Sequence, residues 1–176
     1  MKQIIFVLII LTITFSCSQK KENSRSINNK SGTIGAKLME VWESGDTSLV
    51  NELFHEECEY VDIPNNYVFE GLNGVKDYIS HVHKWGSDIG MEIRNKKFEG
   101  DVGYIEWTFS AIQSNPIRGR VPIATNKEIK INGVTLIEIK DNKIKKATDY
   151  LDALGFVIQL GSKIELPGGV IIGGNK

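Results

Sequence analysis

The sequence predicts an α+β domain: a curved antiparallel sheet, wrapped by about three N-terminal helices into a cone that encloses an apolar pocket. Apolar residues recur at helical spacing as far as residue 86 and at a spacing of two beyond residue 88. Helices first and strands afterwards is the order of an α+β chain, not the alternation of a parallel one. With 176 residues, 41% apolar and 24% charged, the chain suits one folded domain with one core.

Along the chain, Ile34, Leu38, Val41 and Trp42 mark one face of a helix over 33–44. Gly45 and Asp46 end it, and Asp46 is placed to cap a second short helix, TSLVNELF. CEYVDI reads as a strand stopped by Pro64, with Pro64-Asn65-Asn66 as a turn. Val75, Ile79 and Val82 set the register of a third helix from Gly71 to Gly86. Four strands follow: MEIRNKKFE, GDVGYIEWTFSAI, EIKINGVTLIEIK over 128–140, and KIKKATDYL after a tight Asp141-Asn142 turn. Gly133, inside the third of these, suggests a bulge or bend. ALGFVIQL is a short last helix. The tail over 162–176, with four glycines in its last ten residues, reads as loosely ordered.

The first residues stand apart. Lys2 precedes an apolar run from Ile4 to Phe15, too short to span a bilayer and right for the apolar part of a secretory signal. Ser16-Cys17 resembles the lipobox of a bacterial lipoprotein, in which Cys17 is acylated and becomes the new N-terminus. An ordinary cleaved signal or an uncleaved anchor fits the same segment. The expected organisation is thus a lipoprotein signal over 1–17, a flexible polar tether over 18–32, the folded domain over 33–161 and the tail. This places the protein in the bacterial cell envelope, held to the periplasmic or outer-membrane face by its lipid. With Cys17 lipidated, Cys58 has no partner and reads as a small buried hydrophobe.

Net charge is −1 and no basic stripe stands out, which argues against nucleic acid as a partner. His55, His81 and His83 have no metal-ligand spacing, and no HExxH, CxxC, P-loop, dinucleotide or GxSxG motif is present. The expected site has no metal and no cofactor, so carboxylates are its acid-base groups. In KIKKATDYL, alternation puts Ala147, Asp149 and Leu151 on one face, extended by Lys143 and Lys145, with Thr148 and Tyr150 on the other. If the first face lines the cone, burial raises the Asp149 pKa toward neutrality. Asp152 lies where the last helix needs a cap. Asp62 ends its strand at the mouth of the sheet; it is either a second functional carboxylate or a turn aspartate bonded to local backbone.

The ordered set of segments, with the GxxGVxxYI helix start at Gly71, the DxKI turn at Asp141 and the closing DYxDxxGxxxQLG from Asp149, resembles the SnoaL-like polyketide cyclases. They form a branch of the ketosteroid isomerase and nuclear transport factor 2-like superfold. The resemblance runs over residues 33–161. It implies a cone-shaped cavity for a small apolar ligand and ring closure without metal or cofactor. It also implies Asp149 as the general acid-base, because that is the first aspartate of the closing motif. Asp62, before a proline, is similar in position to the isomerases' catalytic aspartate. Thr135 takes the place where the cyclases often carry a histidine. Thr135, Trp107 and Tyr150 are the candidates to line the pocket.

Three functional readings follow. One is an enzyme acting on a small apolar carbonyl compound through Asp149. Another is a lipid-tethered binder of an apolar molecule. In the third, the open sheet face makes a homodimer.

Overall fold

A computed structural model describes residues 28–174. The first helix, α1, occupies residues 28–44. Leu38, Met39, Val41 and Trp42 are buried along it. Gly35 lets it lie close on the sheet, since a Cβ there would come within 2.7 Å of both Ile105 and Phe98. The tether expected over 18–32 therefore gives way to helix by residue 28. Residues 28–32 have little to bury, but they are held by hydrogen bonds to a distant turn. The Gly100 N–H donates to Asn28 Oδ1 at 2.9 Å, and Ser31 Oγ donates to the Gly100 carbonyl at 2.9 Å. The expected signal, Cys17 and the rest of the tether lie outside the described residues.

Asp46 caps a 3-10 turn over Thr47–Leu49 by accepting from the Ser48 N–H at 2.9 Å, and α2 (Val50–Leu53) continues it. Next comes β1 (Phe54–Asp62), longer than CEYVDI suggested. Phe54, Cys58, Tyr60 and Asp62 are its buried residues. Burial pushes the Cys58 thiol pKa up, as suits a core residue rather than a nucleophile. The turn at residues 63–66 leads to β2 (Tyr67–Glu70), a four-residue edge strand too short to be read from period alone. In α3 (Gly71–Trp85), Val75, Tyr78, Ile79 and Trp85 are buried.

The strands β3 (Gly86–Glu99), β4 (Val102–Gln113), β5 (Glu128–Lys140) and β6 (Lys143–Leu151) form a meander. One six-stranded sheet results, in the order β2-β1-β6-β5-β4-β3. It is not wholly antiparallel: β1 runs parallel to β6. Everything from β2 to β5 lies between these two parallel neighbours in the chain. Register shifts in the β3–β4 and β5–β6 pairings bend the sheet around its inner face. The shift between Glu138 and Ile139 also breaks strict alternation in β6. Ile144 is buried with Ala147, and Lys143 and Lys145 do not extend that face.

After α4 (Ala153–Gln159) the described part of the tail, as far as residue 174, forms regular structure. β7 (Lys163–Leu166) and β8 (Val170–Gly173) pair antiparallel as a hairpin, with Gly168 and Gly169 at φ 95° and 81° making its turn. Two of the four glycines that suggested looseness, Gly168 and Gly169, are turn residues, and Gly173 ends β8. Among the described residues no helix is long and apolar enough to cross a membrane.

Candidate active site

Because β1 and β6 run the same way, their C-terminal ends lie at one end of the sheet. Asp62 closes β1, Asp149 stands near the end of β6, and the two are register partners. They are 1% and 4% exposed, and both border a cavity of about 640 Å³ between the sheet and the helices. That volume suits a small organic ligand.

Asp149 is gripped from two sides. Thr135 Oγ1 on β5 donates to Oδ1 at 2.6 Å, and Tyr60 Oη on β1 donates to Oδ2 at 3.0 Å. Each hydroxyl also accepts from an indole: Trp107 Nε1 donates to Thr135 Oγ1 at 2.8 Å, and Trp42 Nε1 to Tyr60 Oη at 3.0 Å. An indole N–H can only donate, so each hydroxyl must accept from its tryptophan and turn its own proton to the carboxylate. Two indole–hydroxyl relays thus converge on one side chain. The Trp107 relay depends on the glycine facing it. Gly133 is the register partner of Trp107, and a Cβ there would run into the indole ring. The bulge expected at Gly133 is absent, since the β4–β5 register runs through it unbroken; the glycine makes room for a side chain instead.

Asp62 has a different shell. Oδ2 accepts from Tyr78 Oη at 2.7 Å and from Asn65 Nδ2 at 2.5 Å, and Oδ1 accepts from the Asn65 N–H at 3.2 Å. It is at once a turn aspartate and a group bordering the cavity. The rings around it form a cluster: Tyr78 stacks on Phe69 at 4.2 Å and meets Tyr60 and Trp42 edge-on.

Burial raises the Asp149 pKa to about 7; the Thr135 and Tyr60 hydroxyls oppose the rise, and the charge of Asp62 adds to it. Burial and then the Asp149 charge push the Tyr60 pKa well up, and burial does the same for Tyr78, so both phenols stay protonated donors. The cavity therefore presents, against largely apolar walls, one carboxyl whose pKa burial raises to about 7. This is the requirement for general acid-base catalysis. Among the described residues, no group of three or more His, Cys, Asp or Glu could hold a metal ion.

The structure brings Asp149, Asp62, Thr135 and Trp107 together on the cavity wall. Tyr150 does not belong with them: it is 45% exposed, because alternation turns it to the outer face of the sheet when Asp149 turns inward. Asp152 stands apart as the cap of α4, accepting from the Gly155 N–H at 2.7 Å. Sequence reasoning missed Tyr60, Trp42 and Tyr78. The signal for Tyr60 was present, since period two puts it on the face of Asp62.

A cone of helices and curved sheet around a carboxyl-bearing pocket gives this chain the nuclear transport factor 2-like fold. The sequence profile of the SnoaL-like polyketide cyclases matches residues 34–160, and the chain belongs to that family. TsrD from Streptomyces laurentii has a similar structure, with a TM-score of 0.67 and 23% identity over 76% of this chain and 96% of its own. A protein from a Jannaschia species described as a SnoaL-like polyketide cyclase gives 0.69 and 15%, over 76% and 93%. A ketosteroid isomerase-like protein from Catenulispora acidiphila, solved in complex with trimethylamine, gives 0.62 and 17%, over 73% and 92%. Identities this low establish the fold alone. No curated protein matches the sequence.

Proposed function

We propose that the cavity takes a small, largely apolar carbonyl compound and that Asp149 moves a proton on it without a cofactor. The observation that carries this is the buried Asp149 carboxyl on the cavity wall, held by two hydroxyls, its pKa raised by burial to about 7. As carboxylate it takes a proton from the carbon beside the carbonyl; the C–H pair becomes a C=C bond and the C=O π pair moves to its oxygen. The proton then returns to carbon in the reverse step, or goes to the alkoxide formed when the enolate attacks a second carbonyl of the same molecule in ring closure. Asp62, with Tyr78, sets the field beside it. A direct test is α-proton exchange of an apolar ketone such as 2-tetralone in D2O, followed by NMR. The protein should accelerate exchange and Asp149→Asn should not; equal rates for both would sink the assignment. The alternative is a non-catalytic binder of the same ligands. It is favoured by Thr135 standing where the cyclases often carry a histidine, and it predicts ketone binding without exchange in either protein.

The leader sequence supports a second part of the reading: Cys17 is acylated and holds the domain at the bacterial cell envelope. Metabolic labelling with a palmitate analogue tests it. Label lost in Cys17→Ser, with release from the membrane fraction, is expected; unchanged membrane association would refute it. For the homodimer, the outer sheet face offers Leu136 and Tyr150, each 45% exposed, and light scattering decides between one copy and two.

A further inference from the structure

The segment between β4 and β5 is a built loop over the cavity, and it carries charge of one sign. Residues 114–127 contain Arg118, Arg120 and Lys127 and no acidic residue, in a chain of net charge −1. At its base, the buried Gln113 holds it with four bonds. Its amide donates to the carbonyls of Asn115 and Ile123, at 2.6 and 2.9 Å, and its oxygen accepts from the Thr125 N–H and Oγ1, both at 2.6 Å. At the tip, Ile117 and Val121 exchange backbone hydrogen bonds at 2.8 and 2.9 Å, and Gly119 at φ 78° turns the chain between the two arginines. Ile117 and Val121 face the cavity, and Arg118 and Arg120 border it from exposed positions. Arg120 lies 5.4 Å over the Tyr67 ring, which fixes it to the edge strand across the mouth. Neither arginine is ion-paired among the described residues, where the salt bridges are Lys145–Glu57 and Lys146–Glu59. The positive field reaches His81, another cavity residue, whose pKa is lowered by burial and then by Lys84 and Arg120.

We infer that Arg118 and Arg120 form a rim site for an anionic group, so that the ligand is an apolar body bearing a carboxylate. A cavity with apolar walls, the buried carboxyls of Asp62 and Asp149 and, at its exposed edge, two guanidiniums without an ion pair among the described residues sorts a molecule end for end. The apolar part enters, and the anion stays at the rim, where guanidinium forks bind carboxylates well. Chain direction then decides which carbon meets Asp149. The inference rests on the ligand pocket proposed above and names the class of molecule that fills it.

The test is a titration of the full-length protein with decanoate, decanol and decyltrimethylammonium, read by tryptophan fluorescence. The chain's three tryptophans, Trp42, Trp85 and Trp107, all line the cavity and report its filling. Decanoate should bind roughly tenfold tighter than decanol, the effect of one or two rim charge pairs. The preference should shrink with added salt, and the cation should bind weakest. Arg118→Gln with Arg120→Gln should bring decanoate down to decanol, whereas Arg118→Lys with Arg120→Lys should keep most of the preference. Decanoate and decanol binding equally, or a preference surviving the double glutamine variant, overturns the rim assignment while leaving the pocket reading standing. No response to any of the three overturns both.

Discussion

Asp62 and Asp149 are register partners across β1 and β6, the parallel junction of a sheet whose other pairings are antiparallel among the described residues. Pairing β1 and β6 antiparallel would put their ends at opposite edges of the sheet. Parallel pairing puts two carboxylates side by side, and the charge of Asp62 helps hold the proton on Asp149. Asp62→Asn should therefore lower the Asp149 pKa from about 7, seen as an acid shift of its carboxyl resonance in a 13C NMR titration. An unmoved titration would mean that the two acids do not sense each other.

The raised pKa makes stability depend on pH. The native state keeps the Asp149 proton where the unfolded chain has lost it, so the contribution is fully present below the unfolded value and fades as pH rises through the folded one. The gap between 3.8 and about 7 corresponds to roughly 4 kcal/mol. Urea unfolding should show stability falling between about pH 4 and pH 7, and Asp149→Asn should remove most of that fall and exceed the wild type at pH 8. Parallel pH curves for the two proteins would contradict it.

Thr135 passes a hydrogen bond from Trp107 to Asp149, so its hydroxyl has two duties. Thr135→Val should leave the buried indole N–H unpaired, costing about 1–3 kcal/mol in denaturant melts. It should also raise the Asp149 pKa further, because the lost bond was lowering it. Thr135→Ser should restore both. If Val and Ser behave alike, the relay is not what holds the carboxylate.

Gly133→Ala places a methyl in the space of the Trp107 ring. The indole must move off Thr135, so a loss of about 1–3 kcal/mol is expected, with altered tryptophan emission. Wild-type emission and stability together would show that the ring accommodates the methyl without moving.

Helical and strand periods carried most of the fold, because they depend on local burial alone. Glu128–Lys140 and Lys143–Leu151 emerged with the bounds read from the sequence. Asp149 was legible as an inward carboxylate for the same reason, and the same period already put Tyr150 on the opposite face, against its place among the pocket candidates. The partnership of Asp149 with Asp62, Tyr60 and Trp42 was not legible. It depends on a parallel pairing between distant strands, and no local pattern encodes that. Ser31 and Asn28 escaped likewise: their order comes from the Gly100 turn, far along the chain.

The parallel junction also governs when a site can exist. Tyr60 and Asp149, joined by one hydrogen bond, are 89 residues apart in sequence. Loop-closure entropy opposes such a contact until the intervening meander has formed, so this topology favours late docking of β6. During synthesis, β1 waits with one edge unpaired until nearly the whole domain has emerged. A nascent or truncated chain ending before residue 143 holds both tryptophans of the relays and no carboxylate for them to orient. Folding and the assembly of the hydrogen-bond network around Asp149 are thus completed by one event, the arrival of the last strand of the sheet.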